Sequence, residues 1–232
     1  MILPKTPYKD IFLAMDREEE KVGFAVRKEE KIAIKKFYKD RPYESLHYKI
    51  YEIPSSRNKY LLWFYIPYGH ADGSIYYFGN ALIIDESDGG RTYICLRTYQ
   101  AVYGNYNYKV DSLQIYTGHF FSRYRERNHM PASIPTIELV IRFFGRNQDF
   151  MTCLDHKKII KKEHNDDASC WQMMEGVSLG NNKIVQINDK KRITVVRHNT
   201  FLSRDDLKQS QLEAIMPKEY MCFLSELSKQ TT

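Results

Sequence analysis

The sequence predicts an α+β fold, in which an N-terminal helix and antiparallel β-hairpins precede two helices packed on an antiparallel β-meander, followed by C-terminal helices. Three observations predict this order. Apolar residues recur at helical intervals near the start, aromatic and branched runs flank short turn sequences in the middle, and three closely spaced strand-like runs follow later. A chain of 232 residues can bury a substantial core, in one large domain or two small ones.

The first half of the chain is predicted to form a helical segment and then a sheet. Residues 8–39 carry an imperfect helical stripe that is interrupted near Gly23, which indicates one or two helices. Aromatic and branched runs then alternate with turn sequences such as Pro-Ser-Ser-Arg-Asn and Asp-Glu-Ser-Asp-Gly-Gly, a pattern typical of hairpins. The predicted strands span residues 48–53, 59–66, 75–84, 91–99 and 108–115.

The second half is predicted to contain a helix pair and a meander. One helix carries residues 116–127, and the next has Pro135 in its first turn and stops at Gly145. Residues 146–170 are polar and indicate an exposed loop. The remaining predicted elements are strands at 172–179, 183–187 and 192–197, turns at 180–182 and 188–191, a helix at 204–216 capped by Ser203, and a terminal helix from Pro217.

Composition limits the domain organisation and the class of protein. We expect a helical and β region over residues 1–107, which need not fold independently, and a helix-helix-meander domain over residues 108–232. No apolar run approaches the length that spans a bilayer, and the first residues lack the pattern of a secretion signal, so we expect a cytoplasmic protein without a membrane partner. The 4 cysteines do not make a disulfide scaffold, and the net charge of +6 favours anionic partners.

One segment, Tyr-Thr-Gly-His-Phe-Phe-Ser-Arg-Tyr-Arg-Glu-Arg at residues 116–127, combines polar chemistry with helical spacing. His119, Arg123 and Arg127 are four residues apart, so at about 100° per residue they lie on one stripe roughly 80° wide, beside a face of aromatic residues. An imidazole that can exchange a proton near neutral pH, beside two guanidinium groups that bind anions, suits phosphate chemistry. The simpler interpretation is a solvated basic edge whose arginines pair with nearby carboxylates.

A second polar group, Arg-His-Asn-Thr at residues 197–200, ends the last predicted strand. Because side chains alternate along a strand, His198 and Thr200 are expected on the same side of the sheet, where they can face His119. The alternative is a strand end with exposed polar residues.

Tyrosines are crowded ahead of the motif, and tyrosine rings can stack on exposed nucleic-acid bases. The candidates for substrate binding are Tyr103, Tyr106, Tyr108 and Tyr116. The ordinary alternative is that these residues alternate along half-buried strands.

Two cysteines and two histidines in and beside the polar loop are the ligand types of a closed tetrahedral zinc site. These metal candidates are Cys153, His156, His164 and Cys170. Their spacing matches no established pattern, and the lysines between the two pairs would repel a cation, so an ordinary polar loop is the favoured interpretation.

The order of elements resembles the BECR superfamily, which joins barnase-like, EndoU-like, colicin-type and RelE-type ribonucleases and includes toxins of bacterial conflict systems. The resemblance rests on the pattern Tyr-Thr-x-His-x-x-x-Arg-x-x-x-Arg, a second helix, and an antiparallel sheet ending in Val-Val-x-x-x-Thr, and it covers residues 108–203. The long loop before the meander departs from the family's arrangement, and residues 1–107 have no counterpart in it.

The resemblance implies metal-independent RNA cleavage without a cofactor. His119 would serve as general base or acid, and Arg123 and Arg127 would bind the scissile phosphate and stabilise its developing charge. Thr200, or His198 near it, would occupy the polar position on the late strand. RNA is then the expected partner, together with a protein inhibitor of the immunity or antitoxin type if the protein is a toxin-like effector.

Two other functions stay open. One is a non-enzymatic nucleic-acid or protein-binding module that uses the same basic helix edge, with binding to nucleic acid that weakens steeply with salt. The other is a zinc-stabilised structural or interaction protein, which depends on the four cysteine and histidine candidates.

Overall fold

In the part of the chain that the structure describes, the fold is built on one nine-stranded sheet with helices on both faces. The computed structural model describes residues 1–37, 44–67, 76–103, 106–147, 152–154, 168–208 and 211, without the side chains of residues 99–103, 106–110 and 152–154. The helices are α1 (Tyr8–Phe37), α2 (Gly118–Arg127) and α3 (Thr136–Asn147). The strands are β1 (Ser45–Glu52), β2 (Lys59–Ile66), β3 (Tyr77–Asp85), β4 (Arg91–Tyr103), β5 (Tyr106–Tyr116), β6 (Thr152–Leu154), β7 (Ala168–Met173), β8 (Gly176–Asn188) and β9 (Lys191–Ser203). These elements confirm the α+β class.

α1 is a single helix of 30 residues, and Gly23 does not interrupt it. Its apolar stripe, which includes the buried Ile11, Met15 and Val22, packs on one face of the sheet against the first three strands and β8. Spacing of three and four residues places these side chains on one side of the helix, and burial of that side stabilises the packing of α1 on the sheet.

Two buried glutamates of α1 add polar contacts to this packing. The Glu18 carboxylate accepts a hydrogen bond of 2.7 Å from the Tyr60 hydroxyl, and Glu29 accepts bonds of 2.8 Å from His47 Nε2 and 2.9 Å from Lys49 Nζ. Burial alone would raise the pKa of both carboxyl groups, but the hydrogen bonds that they accept hold each pKa below its ordinary value. Both glutamates are therefore charged and satisfied at the interface between helix and sheet.

The strand order is β1-β2-β3-β4-β5-β9-β8-β7-β6, and every neighbouring pair is antiparallel except β5 and β9. That parallel pair runs from Ser112 opposite Thr194 to Tyr116 opposite His198. It joins the hairpins of the first half to the meander of the second half. The predicted division between residues 107 and 108 falls inside β5, and strands from both sides of it share one sheet.

α2 and α3 cover the other face of the sheet, where aromatic side chains make most of their core. The Tyr124 ring lies 5.1 Å from the rings of both Phe143 and Phe201, in edge-to-face contacts. α2 lies against β9 of the meander, and α3 lies mainly against β1 and β2. The helix that carries the basic stripe is thus held by a rigid aromatic cluster.

Three predicted features of the secondary structure are wrong. Gly145 is not a helix stop but lies inside α3, because the helix approaches the sheet so closely there that a Cβ would overlap the Tyr65 ring. The predicted strand over 172–179 in fact contains the turn at residues 174–175, and the predicted turn at 180–182 lies inside β8, where it pairs with β9.

The chain after β9 is described only in part. A 3-10 turn, Arg204–Asp206, begins where a helix cap was predicted: the Asp206 carboxylate accepts hydrogen bonds from the backbone N–H of Ser203 at 2.9 Å and from its hydroxyl at 2.7 Å. Apart from Gln211, the rest of the predicted helices beyond Lys208 lies outside the described residues. Among the helices that are described, none has the length and apolar character needed to cross a membrane.

Candidate functional site

α2 begins directly after β5, and local sequence determines how it starts. The Thr117 hydroxyl accepts a hydrogen bond of 3.2 Å from the backbone N–H of Phe120, the usual arrangement of a helix N-cap. The aromatic residues of α2 point into the core and are fully buried. Their burial sets the rotation of the helix, so His119, Arg123 and Arg127 lie along its outer side. We refer to these three residues as the α2 edge.

The side chains of the α2 edge are exposed to different degrees. His119 is exposed and makes no hydrogen bond or ion pair within the described part of the chain. Arg123 donates to Glu126 at 2.7 Å and Arg127 donates to Asp206 at 2.8 Å, and the two arginine side chains keep 41 % and 37 % of their surface exposed. Exposed ion pairs of this kind contribute about 0–1 kcal/mol, so an incoming anion can replace either carboxylate.

His198, predicted to face His119, is instead fully buried. Its Nε2 donates to the Gln114 side-chain oxygen at 2.7 Å, which leaves Nδ1 to accept from the Ser178 hydroxyl, also at 2.7 Å. The ring stacks on Tyr116 with centroids 4.3 Å apart. Burial, and secondarily the charge of Arg97, lower the pKa of His198 to about 3, so the ring stays neutral.

The expectation that His198 and His119 act together is therefore wrong. The parallel pairing of β9 with β5 places His198 opposite Tyr116 in the middle of the sheet, beneath the aromatic face of α2. His119 lies on the outer side of that helix. One imidazole is sealed in the core while the other is in solvent, so no substrate can contact both.

Thr200 lies on the opposite face of β9 from His198, so the expectation that they share a side is also wrong. A β-bulge between Leu179 and Gly180 of β8 places an extra β9 residue between the two. As a result His198 and Phe201, three residues apart, both contact the aromatic cluster under α2, and Thr200 points away from it.

The tyrosine candidates divide into one buried residue and three whose side chains are not described. Tyr116 is 1 % exposed and packs against His198 and the phenylalanines of the core, so it cannot stack on a base. Its assignment to substrate binding is wrong, because the end of β5 lies under α2. Tyr103, Tyr106 and Tyr108 lie in β4 and β5, and their side chains fall outside the described part of the structure.

The zinc candidates cannot be assembled from the described residues. The predicted loop over 146–170 contains β6 and the start of β7, so Cys153 and Cys170 both lie in strands, and Cys170 is buried. His156 and His164 lie outside the described residues. Within the described ranges, no group of three or more histidine, cysteine, aspartate or glutamate side chains is placed to hold a metal ion.

A charged cluster that the sequence did not predict lies at the end of α3. It comprises Glu44, Tyr65, Tyr124, Arg142, Arg146, Asn147 and Glu175. Arg146 donates to Glu44 at 2.7 Å and to Glu175 at 3.2 Å, and the Tyr124 hydroxyl donates to Glu175 at 2.5 Å. Burial, and next the charge of Glu175, raise the pKa of Tyr124 well above its ordinary value. Two carboxylates balance two guanidinium groups, so the cluster holds α3 in place and is not a site open to anions.

Comparisons with protein families, with curated proteins and with solved structures found no match for this chain. Function must therefore be inferred from the chemistry of the site. The α2 edge is basic, regular and accessible, whereas the late-strand residues that were expected to complete a catalytic site point elsewhere.

Proposed function

We propose that the protein binds RNA through the α2 edge and that Arg123 and Arg127 contact phosphate groups of the RNA backbone. The observation that carries this proposal is that both arginine side chains are partly exposed on one stripe of a tightly packed helix, where Nε of Arg127 is buried and the exposed part of each side chain can contact an anion. Planar guanidinium groups bind phosphate oxygens in a two-pronged geometry, and their surface ion pairs are weak enough to exchange.

Binding is favoured over cleavage because the late strand contributes no second proton-transfer group. A ribonuclease that works without metal needs one group to activate the 2′-hydroxyl and another to protonate the leaving oxygen. His198 is buried and neutral, and Thr200 faces the other side of the sheet. Binding to the phosphate groups of the RNA backbone, in contrast, requires only the two arginines.

The binding proposal can be tested by fluorescence anisotropy with a labelled oligouridine of about twelve nucleotides. In an Arg123→Ala/Arg127→Ala double variant, the slope of log affinity against log salt concentration should fall by about 1.4, because each single-strand phosphate contact contributes about 0.7. Lys28→Ala/Lys31→Ala is the matched control, since it also removes two positive charges and both lysines are exposed on α1, across the sheet from α2.

The proposal would be refuted if the wild-type protein and the double variant bound RNA with the same affinity and the same salt dependence. The same conclusion follows if Lys28→Ala/Lys31→Ala weakens binding as much as the α2-edge double variant does, because the interaction would then depend on net charge and not on the α2 edge.

RNA cleavage is a second candidate, favoured by the position of His119 one helical turn from Arg123. A phosphate held by Arg123 would lie beside the imidazole, which has no competing hydrogen bond in the described structure. If this candidate is correct, the protein shortens RNA in the presence of a metal chelator and His119→Ala abolishes cutting while binding persists. A protein inhibitor would be a partner only in this case.

The matched control for cleavage is His129→Asn. His129 is exposed in the loop after α2 and has a positive φ of 49°, which asparagine tolerates. Cutting by the His119→Ala variant at the wild-type rate would show that His119 is not the proton-transfer group.

A further inference from the structure

A groove of about 550 Å³ lies between the N-terminal segment, residues 4–9, and residues 183–186 of β8. Successive side chains of a strand point to opposite faces of the sheet. Four consecutive residues of β8 can therefore line one groove only if the groove runs along the edge of the strand. The floor of the groove is thus the edge of β8 itself.

This part of β8 has an edge without a neighbouring strand among the described residues. One edge of β8 pairs with β9 along nearly the whole length of β8. The other edge of β8 pairs with β7 only from Gly176 to Asn181. Residues 182–188 of β8 then continue past the end of β7. Ile184 in this stretch is 70 % exposed, so its side chain is uncovered as well. Such an edge is a template for another strand.

The groove is lined by basic, apolar and uncharged polar residues, and no acidic residue of the described structure lines it. Lys5, Lys9 and Lys183 contribute the charge, and none of the three forms an ion pair in the described structure. Three ammonium groups around a strand edge complement an extended chain that carries carboxylates. They also discourage the pairing of two copies of this edge with each other, because like charges would meet.

We propose that residues 182–188 of β8 bind an extended acidic peptide segment of a partner protein, which adds a strand to the sheet. Backbone hydrogen bonds to the β8 edge supply affinity, Ile184 contacts an apolar side chain of the peptide, and the three lysines pair with its carboxylates. A nucleic acid could use the lysines but not the strand edge, and for this reason the peptide is favoured. The site uses none of the residues of the α2 edge.

The probe is a labelled peptide of about eight residues in which valine and glutamate alternate, a length that matches one strand. Two comparison peptides are a valine-lysine version and the valine-glutamate peptide N-methylated at every residue, which keeps the side chains but has no backbone donors. Binding is measured by anisotropy, and hydrogen exchange reports whether the amides of residues 182–188 become protected.

The Lys9→Glu/Lys183→Glu variant should bind the acidic peptide about tenfold more weakly, since two attractive exposed pairs become repulsive. A Lys28→Glu/Lys190→Glu variant carries the same change of net charge at exposed positions outside the groove and should bind as the wild type does. The N-methylated peptide should bind far more weakly than its parent, and protection of the 182–188 amides should accompany binding of the parent alone.

The proposal is overturned if the valine-lysine peptide binds as tightly as the acidic one, or if the groove variant and its charge-matched control behave alike. Equal binding of the N-methylated peptide would show recognition of charge without strand addition and would also overturn it. Protection of the 182–188 amides by oligouridine and not by the peptide would assign the groove to nucleic acid instead. Loss of RNA binding in α2-edge variants has no bearing on any of these results.

Discussion

Acidification should destabilise the fold through His198. The ring is fully buried, both of its nitrogens are used, and its pKa is lowered to about 3 from an ordinary value of 6.5. Between these two values the unfolded chain binds a proton at this position and the folded chain does not. The contribution of His198 to the free energy of unfolding is therefore fully present above pH 6.5 and is lost as the pH decreases toward 3.

The magnitude follows from the width of that interval. Each pH unit below the unfolded pKa costs about 1.4 kcal/mol, so at about pH 4.5 the contribution of His198 is a loss of roughly 3 kcal/mol in the free energy of unfolding. Carboxylates with lowered pKa, such as Glu18 and Glu29, lose stability in acid too. Their effect must be separated from that of the histidine.

A His198→Gln variant provides the separation, because an amide can accept from Ser178 and donate to Gln114 but does not titrate. Urea unfolding of both proteins can be followed by the fluorescence of the two buried tryptophans, Trp63 and Trp171. The stability advantage of the wild type over the variant should shrink by roughly 3 kcal/mol between about pH 7 and about pH 4.5. Identical pH dependence of the two proteins would refute the claim that this ring is neutral and sealed.

Gly180→Ala should lower the free energy of unfolding by about 2–3 kcal/mol, because a Cβ there would overlap the backbone carbonyl of Arg197 and force the bulge open. A loss below about 0.5 kcal/mol, measured by chemical denaturation, would contradict this prediction. Gly145→Ala should cost about 1–3 kcal/mol through overlap with a tyrosine ring of β2, whereas Gly23→Ala, at an uncrowded position in α1, should stabilise by about 0.5–1 kcal/mol. Glu44→Ala should cost about 1–3 kcal/mol, since two half-buried arginines of α3 lose their shared carboxylate, and an unchanged melting temperature would show that solvent already satisfies them.

Most elements of the fold could be predicted because their signals are local. The helical stripe of α1, the turn sequences between β1 and β2 and between β3 and β4, and the position of Pro135 before α3 each depend on residues a few positions apart. The same holds for the α2 edge: spacing of four residues beside an aromatic face was enough to predict that three polar side chains share one side of a helix. Errors occurred where a distant partner decides the outcome, as at Gly145, whose neighbour is a ring on β2.

The amino-acid sequence by itself determined most of the described helices and strands of the first half, and that His119, Arg123 and Arg127 form one stripe, because caps, turns and periodicity act within a few residues. Only the tertiary structure decided that β5 pairs with β9, that a bulge turns Thr200 away from His198, and that His198 is a neutral core residue. Pairing between strands about 80 residues apart in the sequence depends on the packing of both sheet faces at once, and no local pattern specifies it. That pairing separates the two histidines and makes the accessible helix edge the site on which a functional proposal depends.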